Sequence, residues 1–200
     1  MTADERDDTR DDSYTARLRE LQGARWKQVL RVQAPYQWNI KRHLGGRRVL
    51  DVGCGIGRNL RNLPPGSVGV DHNASSVEFC RSQGMTAYTA DEFHALEDTR
   101  FDGMLMAHLL EHLPPGEEGN VVTEYLPYLR PGATVMIVCP QEVGFASDPT
   151  HTSWLDSDDL LGICRTAGME NLTSSSFPFP RPVGKVFVYN ETVVVGTTPG

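Results

Sequence analysis

The chain has 200 residues, of which 39% are hydrophobic and 22% charged, enough for one α/β domain with a proper core and too few for two. Its net charge of -7 argues against nucleic acid as a partner. No apolar run approaches the ~20 residues that a membrane-spanning helix needs, so no membrane partner is expected.

Residues 1–12 hold six acids and two arginines, the composition of a disordered tail and not of a signal peptide. From Ser13 to about His43, Leu18, Leu21, Trp26, Val29, Leu30 and Val32 recur near helical spacing, and Pro35 divides the stretch into two helices. Residues 13–45 therefore read as a helical cap and 46–200 as the main domain. Tyr36 and Trp38 place aromatic bulk before the first strand, either as a lid over a pocket or as cover for the core.

Short β-type runs then alternate with helical segments. Strands are predicted at Arg48–Val52, Ser67–Val70, Met85–Tyr88, Phe101–Ala107 and Thr134–Cys139, with one or two more within Val183–Val195. Helices are predicted at Gly57–Asn62, Ala74–Ser82, Glu117–Leu129 and Ser157–Ala167, the last with Ser157 as N-cap. Such alternation predicts a mostly parallel sheet covered by helices on both faces, with ligands at the carboxyl ends of the strands. Cys54, Cys80, Cys139 and Cys164 form no C-x-x-C pair, which points to four reduced thiols in a cytoplasmic protein.

The first strand runs into Asp51-Val52-Gly53-Cys54-Gly55-Ile56-Gly57. Alternating glycines allow a tight turn and let a ligand approach the backbone without Cβ interference, and a helix start beyond them would offer free amides. The spacing differs from the G-x-G-x-x-G dinucleotide fingerprint. Asp71 closes the second apolar run, where a carboxylate can accept two hydrogen bonds from a ribose diol.

These segments resemble the class I S-adenosylmethionine-dependent methyltransferases, of the small, type 11-like kind that includes the ubiquinone-pathway enzymes. The resemblance covers roughly Arg48 to Pro140. It implies that Asp51, Gly53, Cys54, Gly55 and Gly57 hold the methionine part of S-adenosylmethionine and that Asp71, with His72 beside it, holds the ribose. Asp91 and Glu92, in Ala90-Asp91-Glu92, would face the adenine. It further implies a Rossmann-like, seven-stranded sheet with an antiparallel last strand, and S-adenosylhomocysteine as product.

His108-Leu109-Leu110-Glu111-His112 spells H-x-x-E-H, a zinc-peptidase pattern, but it directly follows a central strand of a nucleotide-binding sheet, where a peptidase helix is out of place. The resemblance instead puts His108 beside the transferable methyl group, a candidate for both cofactor contact and catalysis, and has His112 pack the loop.

The long segment Pro140 to Trp154 leaves the carboxyl end of the fifth strand and has no clear periodicity, a common mark of function. In it His151 is the candidate general base for a hydroxyl, oriented by Asp148 or Glu142, and Trp154 is the candidate platform for the acceptor. Carboxylates and a histidine also suit Mg²⁺, so a divalent ion held by His151 with them stays open, although no metal is assigned. Arg181, Tyr189 and Asn190 are candidate acceptor-pocket residues. The expected reaction is methyl transfer to a hydroxylated small molecule by a monomer or homodimer. Carbon or nitrogen methylation of a quinone or amine, and a non-catalytic cofactor-binding module, are the alternatives.

Overall fold

A computed structural model of the chain describes residues 34–96 and 99–200. The expected tail at 1–12 and most of the expected cap at 13–45 lie outside the described residues.

Helix α1 covers residues 34–44 and is followed by β1 (Val49–Val52), β2 (Val68–Asp71), α2 (Ala74–Ser82), β3 (Ala87–Thr89) and α3 (Ala90–His94). Then come β4 (Phe101–Ala107), α4 (Glu118–Tyr125), β5 (Leu129–Pro140), α5 (Glu142–Ala146), α6 (Ser157–Thr166), β6 (Glu170–Phe177) and β7 (Glu191–Thr197). The strands form one seven-stranded sheet in the order β3-β2-β1-β4-β5-β7-β6. The pairs among β1 to β5 are parallel, and β7 is antiparallel to both β5 and β6.

Alternation along the central strands buries both faces of the sheet, as a parallel sheet requires. Leu50, Val52, Met104, Met106, Val135 and Ile137 face one core with Val122 of α4 and Leu160 and Cys164 of α6. Val49, Leu105, Met136, Val138 and Val193 face the other with Ile40 and Leu44 of α1. The expected strand-helix alternation is thus correct for the centre of the sheet.

The corrections lie at edges and termini. No full helix follows the glycine loop: turns lead to a single 3-10 turn at Leu60–Asn62, stopped before Pro64 and Pro65. Of the one or two strands expected within Val183–Val195, one is present, as β7; β6 lies upstream, and a 3-10 turn at Arg181–Lys185 stands between them. The polar run Leu172-Thr173-Ser174-Ser175-Ser176 forms β6 because its partner β7 supplies the backbone hydrogen bonds at a sheet edge, where alternation is not required. The N-cap of α6 is Asp156, not Ser157; its carboxylate accepts from the Asp158 and Asp159 amides at 2.8 and 3.0 Å. The unpatterned stretch after β5 contains α5.

The chain runs β1, β2, β3 to one side and then crosses back to place β4 on the other side of β1. Loops leaving β1 and β4 therefore diverge and open a crevice at their carboxyl ends.

Candidate active site

The loop after β1 takes left-handed backbone conformations at Gly53, Gly55 and Gly57, with φ of 72°, 50° and 75°. A Cβ at Gly53 would stand 2.8 Å from the Leu109 side chain, and one at Gly57 would stand 2.5 Å from Met85, whereas one at Gly55 meets nothing within 4 Å. Gly53 and Gly57 are needed by the packing of the protein itself; Gly55 borders open space. The amides of Gly53 and Cys54 both donate to the Val70 carbonyl, at 2.8 and 3.0 Å, which ties the loop to β2.

Asp71 ends β2 and clamps this arrangement. Its Oδ2 accepts from the Gly55 amide at 2.7 Å and its Oδ1 from the Asn73 amide at 2.9 Å. His72 lies beside it, partly exposed, with Nδ1 3.9 Å from Asp71 Oδ1. Asp51 sits inside β1 and is only 1% exposed. Its Oδ2 has no hydrogen-bond partner among the described residues, and burial, aided by the Asp71 charge, pushes its carboxyl up to about 8. Asp91 lies exposed in the first turn of α3. Glu92 is committed elsewhere: it accepts from the Thr89 amide at 2.9 Å in a capping box and pairs with Arg81 at 2.6 Å. Glu92 thus caps α3, and the adenine contact expected of it is carried forward as a proposal.

Beyond β4, His108 adopts φ 56°, a conformation that costs a non-glycine residue of order 1–2 kcal/mol and so marks a site where side-chain direction matters. Its Nδ1 lies 3.1 Å from Glu111 Oε1 and its Nε2 2.8 Å from Glu191 Oε1. Burial works against a charge here, but the two carboxylates outweigh it and raise the imidazole to about 10. His108 is thus an imidazolium at neutral pH and not a base. Glu111, although buried, is held below the usual carboxylate range by that cation.

Residues 108–112 do not lie along a helix face. A 3-10 turn covers Leu110–His112 and sends His108 towards Glu191 and His112 towards the loop after β5. Neither Glu111 nor Glu191 is among the expected site residues. The signal for Glu191 is an acid opening the apolar run Thr192-Val193-Val194-Val195; for Glu111 it is the H-x-x-E-H segment set aside as a coincidence.

In the loop after β5, His151 Nδ1 lies 2.8 Å from the Phe145 carbonyl, and its ring stacks on Phe145 with centroids 5.3 Å apart. The edge of His112 meets it at a 4.7 Å centroid distance. A carbonyl accepts only, so Nδ1 carries the proton and Nε2 the lone pair of the neutral ring. The expected orienting carboxylates do not do this work. Glu142 takes both guanidinium nitrogens of Arg181, at 2.6 and 2.8 Å, which holds its carboxyl below the usual range. Asp148 Oδ1 accepts from the Thr150 amide at 3.0 Å and its hydroxyl at 2.8 Å, closing the turn before His151. The proposed ion held by His151 with Glu142 and Asp148 thus has no ready ligand in Glu142. Trp154 is partly exposed and meets Phe145 edge-on at 5.3 Å.

On the β7 side, Asn190 is fully buried. Its Nδ2 donates to Gln141 Oε1 and Ser176 Oγ at 2.9 Å each, and its Oδ1 accepts from the Phe179 amide at 2.9 Å. It is a structural knot, not an acceptor contact, and Arg181 is likewise occupied by Glu142. Tyr189 remains exposed, and its carbonyl accepts the Tyr36 hydroxyl from α1. Tyr36 and Trp38 also pack on Phe177, with ring centroids at 5.7 and 6.5 Å. Tyr36 is close enough to Glu191 that burial and this charge together raise its phenol. The start of α1 therefore borders the same crevice.

A family model described as a methyltransferase domain matches residues 18–174. No curated protein matches the sequence. Among solved structures, an S-adenosylmethionine-dependent methyltransferase from Archaeoglobus fulgidus is 20% identical, with a TM-score of 0.66 over 82% of this chain and 93% of that one. A Thermotoga maritima methyltransferase, described as a possible histamine N-methyltransferase, is 18% identical, with a TM-score of 0.71 over 92% and 98%. The Burkholderia thailandensis 1,6-didemethyltoxoflavin N1-methyltransferase, crystallised with its substrate and S-adenosylhomocysteine, is 21% identical, with a TM-score of 0.59 over 94% and 90%.

Proposed function

The chain belongs to the methyltransferase-domain family and is an S-adenosylmethionine-dependent methyltransferase, and from that premise we propose that it methylates a hydroxyl of a small molecule, a sugar or other hydroxylated metabolite. The observation that carries this reading is the division of labour among the histidines. His108 is held as a cation between Glu111 and Glu191, while His151 presents an Nε2 lone pair at the carboxyl ends of the strands. A hydroxyl needs a base, and we assign that role to His151.

The residues after β1 and β2 fit the cofactor. Asp51 Oδ2 is a buried acceptor without a partner, suited to an ammonium group, and Gly55 leaves room where a Cβ would intrude. Asp71, its inner lone pairs used by Gly55 and Asn73, retains lone pairs for a diol. When bound, S-adenosylmethionine supplies a methyl electrophile on a sulfonium. Glu111 is held as a carboxylate beside the His108 cation, while burial pushes the Glu191 carboxyl up, against its charge. The cofactor would give up that methyl by cleavage of its C–S bond and leave as S-adenosylhomocysteine, and His151 would take the acceptor hydroxyl's proton on Nε2. Trp154, Tyr189 and Tyr36 offer aromatic surface to the acceptor from either side.

Methylation of an amine is the second reading. Of the matched structures, one is described as an N-methyltransferase and another as a possible one. A panel of sugars, phenols, amines and quinols incubated with methyl-labelled S-adenosylmethionine decides between them. Label in an ether is expected; label in nitrogen or carbon products alone overturns the hydroxyl proposal.

A further inference from the structure

Glu111, His112 and His151 come from two separate loops, yet one carboxylate oxygen and one nitrogen from each ring lie within 4.8 Å of one another. We propose that these three side chains bind a divalent first-row transition metal ion of the zinc or cobalt type.

Each ligand is already prepared by its surroundings. Glu111 is 1% exposed, its Oε1 is taken by His108, and its Oε2 is sealed from solvent with no hydrogen-bond partner among the described residues. The buried Cys139 thiol lies beside the Glu111 carboxylate and offers it at most a weak hydrogen bond, not a full partner for Oε2. An ion is the partner that this oxygen lacks. His112 Nδ1 faces the Thr150 carbonyl at 3.3 Å and the Thr150 hydroxyl at 3.1 Å. That hydroxyl spends its own hydrogen on Asp148, so both oxygens accept from His112 and its lone pair is left on Nε2. His151 is fixed in the same tautomer by Phe145. Metal-bound histidines commonly show this arrangement, one nitrogen donating to a carbonyl or carboxylate relay and the other facing the ion.

The backbone holds the two loops in register. The Thr152 and Ser153 amides both donate to the Glu111 carbonyl, at 2.8 and 3.1 Å, and the Thr152 hydroxyl donates to the Leu113 carbonyl at 2.7 Å. This pins His151 over the Glu111–His112 pair. With ligands at about 2.0–2.2 Å from an ion, side-chain movement alone closes the set. Two imidazoles and one carboxylate select zinc-like ions over magnesium or calcium, which prefer oxygen. Three protein ligands leave positions open, and both histidines are partly exposed, so the ion faces the crevice.

The proposal uses the site of the hydroxyl reading and deepens it. In loaded protein the ion, not a free His151, would serve the hydroxyl: a hydroxyl oxygen bound at an open position would be acidified by the ion and would lose its proton to solvent water, while in ion-free protein His151 Nε2 would take that proton.

The test is made on untagged full-length protein, stripped with a chelator and titrated with Co²⁺, without cofactor or acceptor. Expected are one Co²⁺ per chain and intense visible absorption bands that Zn²⁺ abolishes by displacement. Loss of a ligand in His151→Ala or Glu111→Gln weakens Co²⁺ binding by about 100-fold or more, beyond what an outer-shell change costs. His43→Ala, which removes a histidine from α1, leaves the titration unchanged. Pale six-aquo spectra with no binding heat overturn the proposal, as does tight binding that survives His151→Ala. His151 is partly exposed, so its alanine variant decides the matter even if Glu111→Gln does not fold; thermal melting and cofactor binding check its integrity. Ion binding is read here without methyl transfer, so its failure and that of the hydroxyl reading are told apart.

Discussion

At the scale of single residues, the decisive features are two ionisable groups, Asp51 and His108, held away from their ordinary pKa values. Asp51 is expected from its place before the glycine loop to hold cofactor, but its neighbourhood also keeps its carboxyl near 8. An acid whose folded pKa exceeds the unfolded value of 3.8 keeps its proton longer in the folded chain. Its contribution to stability therefore declines as pH climbs from about 4 to about 8 and is constant above that. In cofactor-free protein, Asp51→Asn is expected to gain in Tm relative to the parent between pH 5 and pH 8; parallel melting curves would contradict this. If Asp51 meets the cofactor's ammonium as proposed, binding at pH 7 releases up to about one proton per site, visible as calorimetric heats that change with the buffer. His151→Ala is expected to lower kcat by about 10²–10⁴-fold with cofactor affinity retained, the range for loss of a general base. Unchanged turnover would remove His151 from the chemistry.

At the scale of elements, three glycines in one motif do different work. Gly57→Ala sets a Cβ against Met85 at a φ of 75°, and is expected to lower Tm by several degrees and to abolish cofactor binding. Gly55→Ala has free space around its Cβ and carries only the left-handed backbone cost, about 1 kcal/mol. It is expected to melt within a few degrees of the parent while losing cofactor affinity, because the added methyl enters the crevice. Equal cofactor affinity in Gly55→Ala and the parent would place the cofactor elsewhere. The Glu142–Arg181 pair is half exposed, so Glu142→Gln is expected to cost under about 1 kcal/mol in denaturant unfolding and to leave turnover within about twofold. A large loss of turnover would restore Glu142 to the site. The central strands and α2 were legible because they are locally patterned. β6, α3 and the cap at Asp156 were not, since an edge strand, a capping box and a one-residue boundary depend on partners more than on periodicity.

At the scale of the whole molecule, α1 runs along one face of the sheet, with Tyr36 at its start near Glu191 and Leu44 at its end against Gly103. The helix packs on the core through Ile40 and Leu44, while Tyr36 and Trp38 at its start pack on Phe177. Trp38→Ala and Tyr36→Phe are expected to raise the KM for acceptor several-fold and leave cofactor affinity unchanged. A matched loss of cofactor affinity would make α1 a purely structural support. No helix of the described residues is long and apolar enough to cross a membrane.

By itself the sequence determined the class of fold and the turn-forming glycine loop after β1. Strand periodicity, glycines that tolerate positive φ and acids at strand ends are local properties, written within a few residues of where they act. The acceptor side was decided only by tertiary structure. Glu191 reaches His108 from 83 positions away, and Thr150 reaches His112 from 38. The charge on His108, the diversion of Glu142 to Arg181 and the meeting of Glu111, His112 and His151 all depend on which loops the sheet brings to its carboxyl edge. Side-chain ionisation and ligand geometry fall off within a few ångströms, and chain position does not encode proximity on that scale.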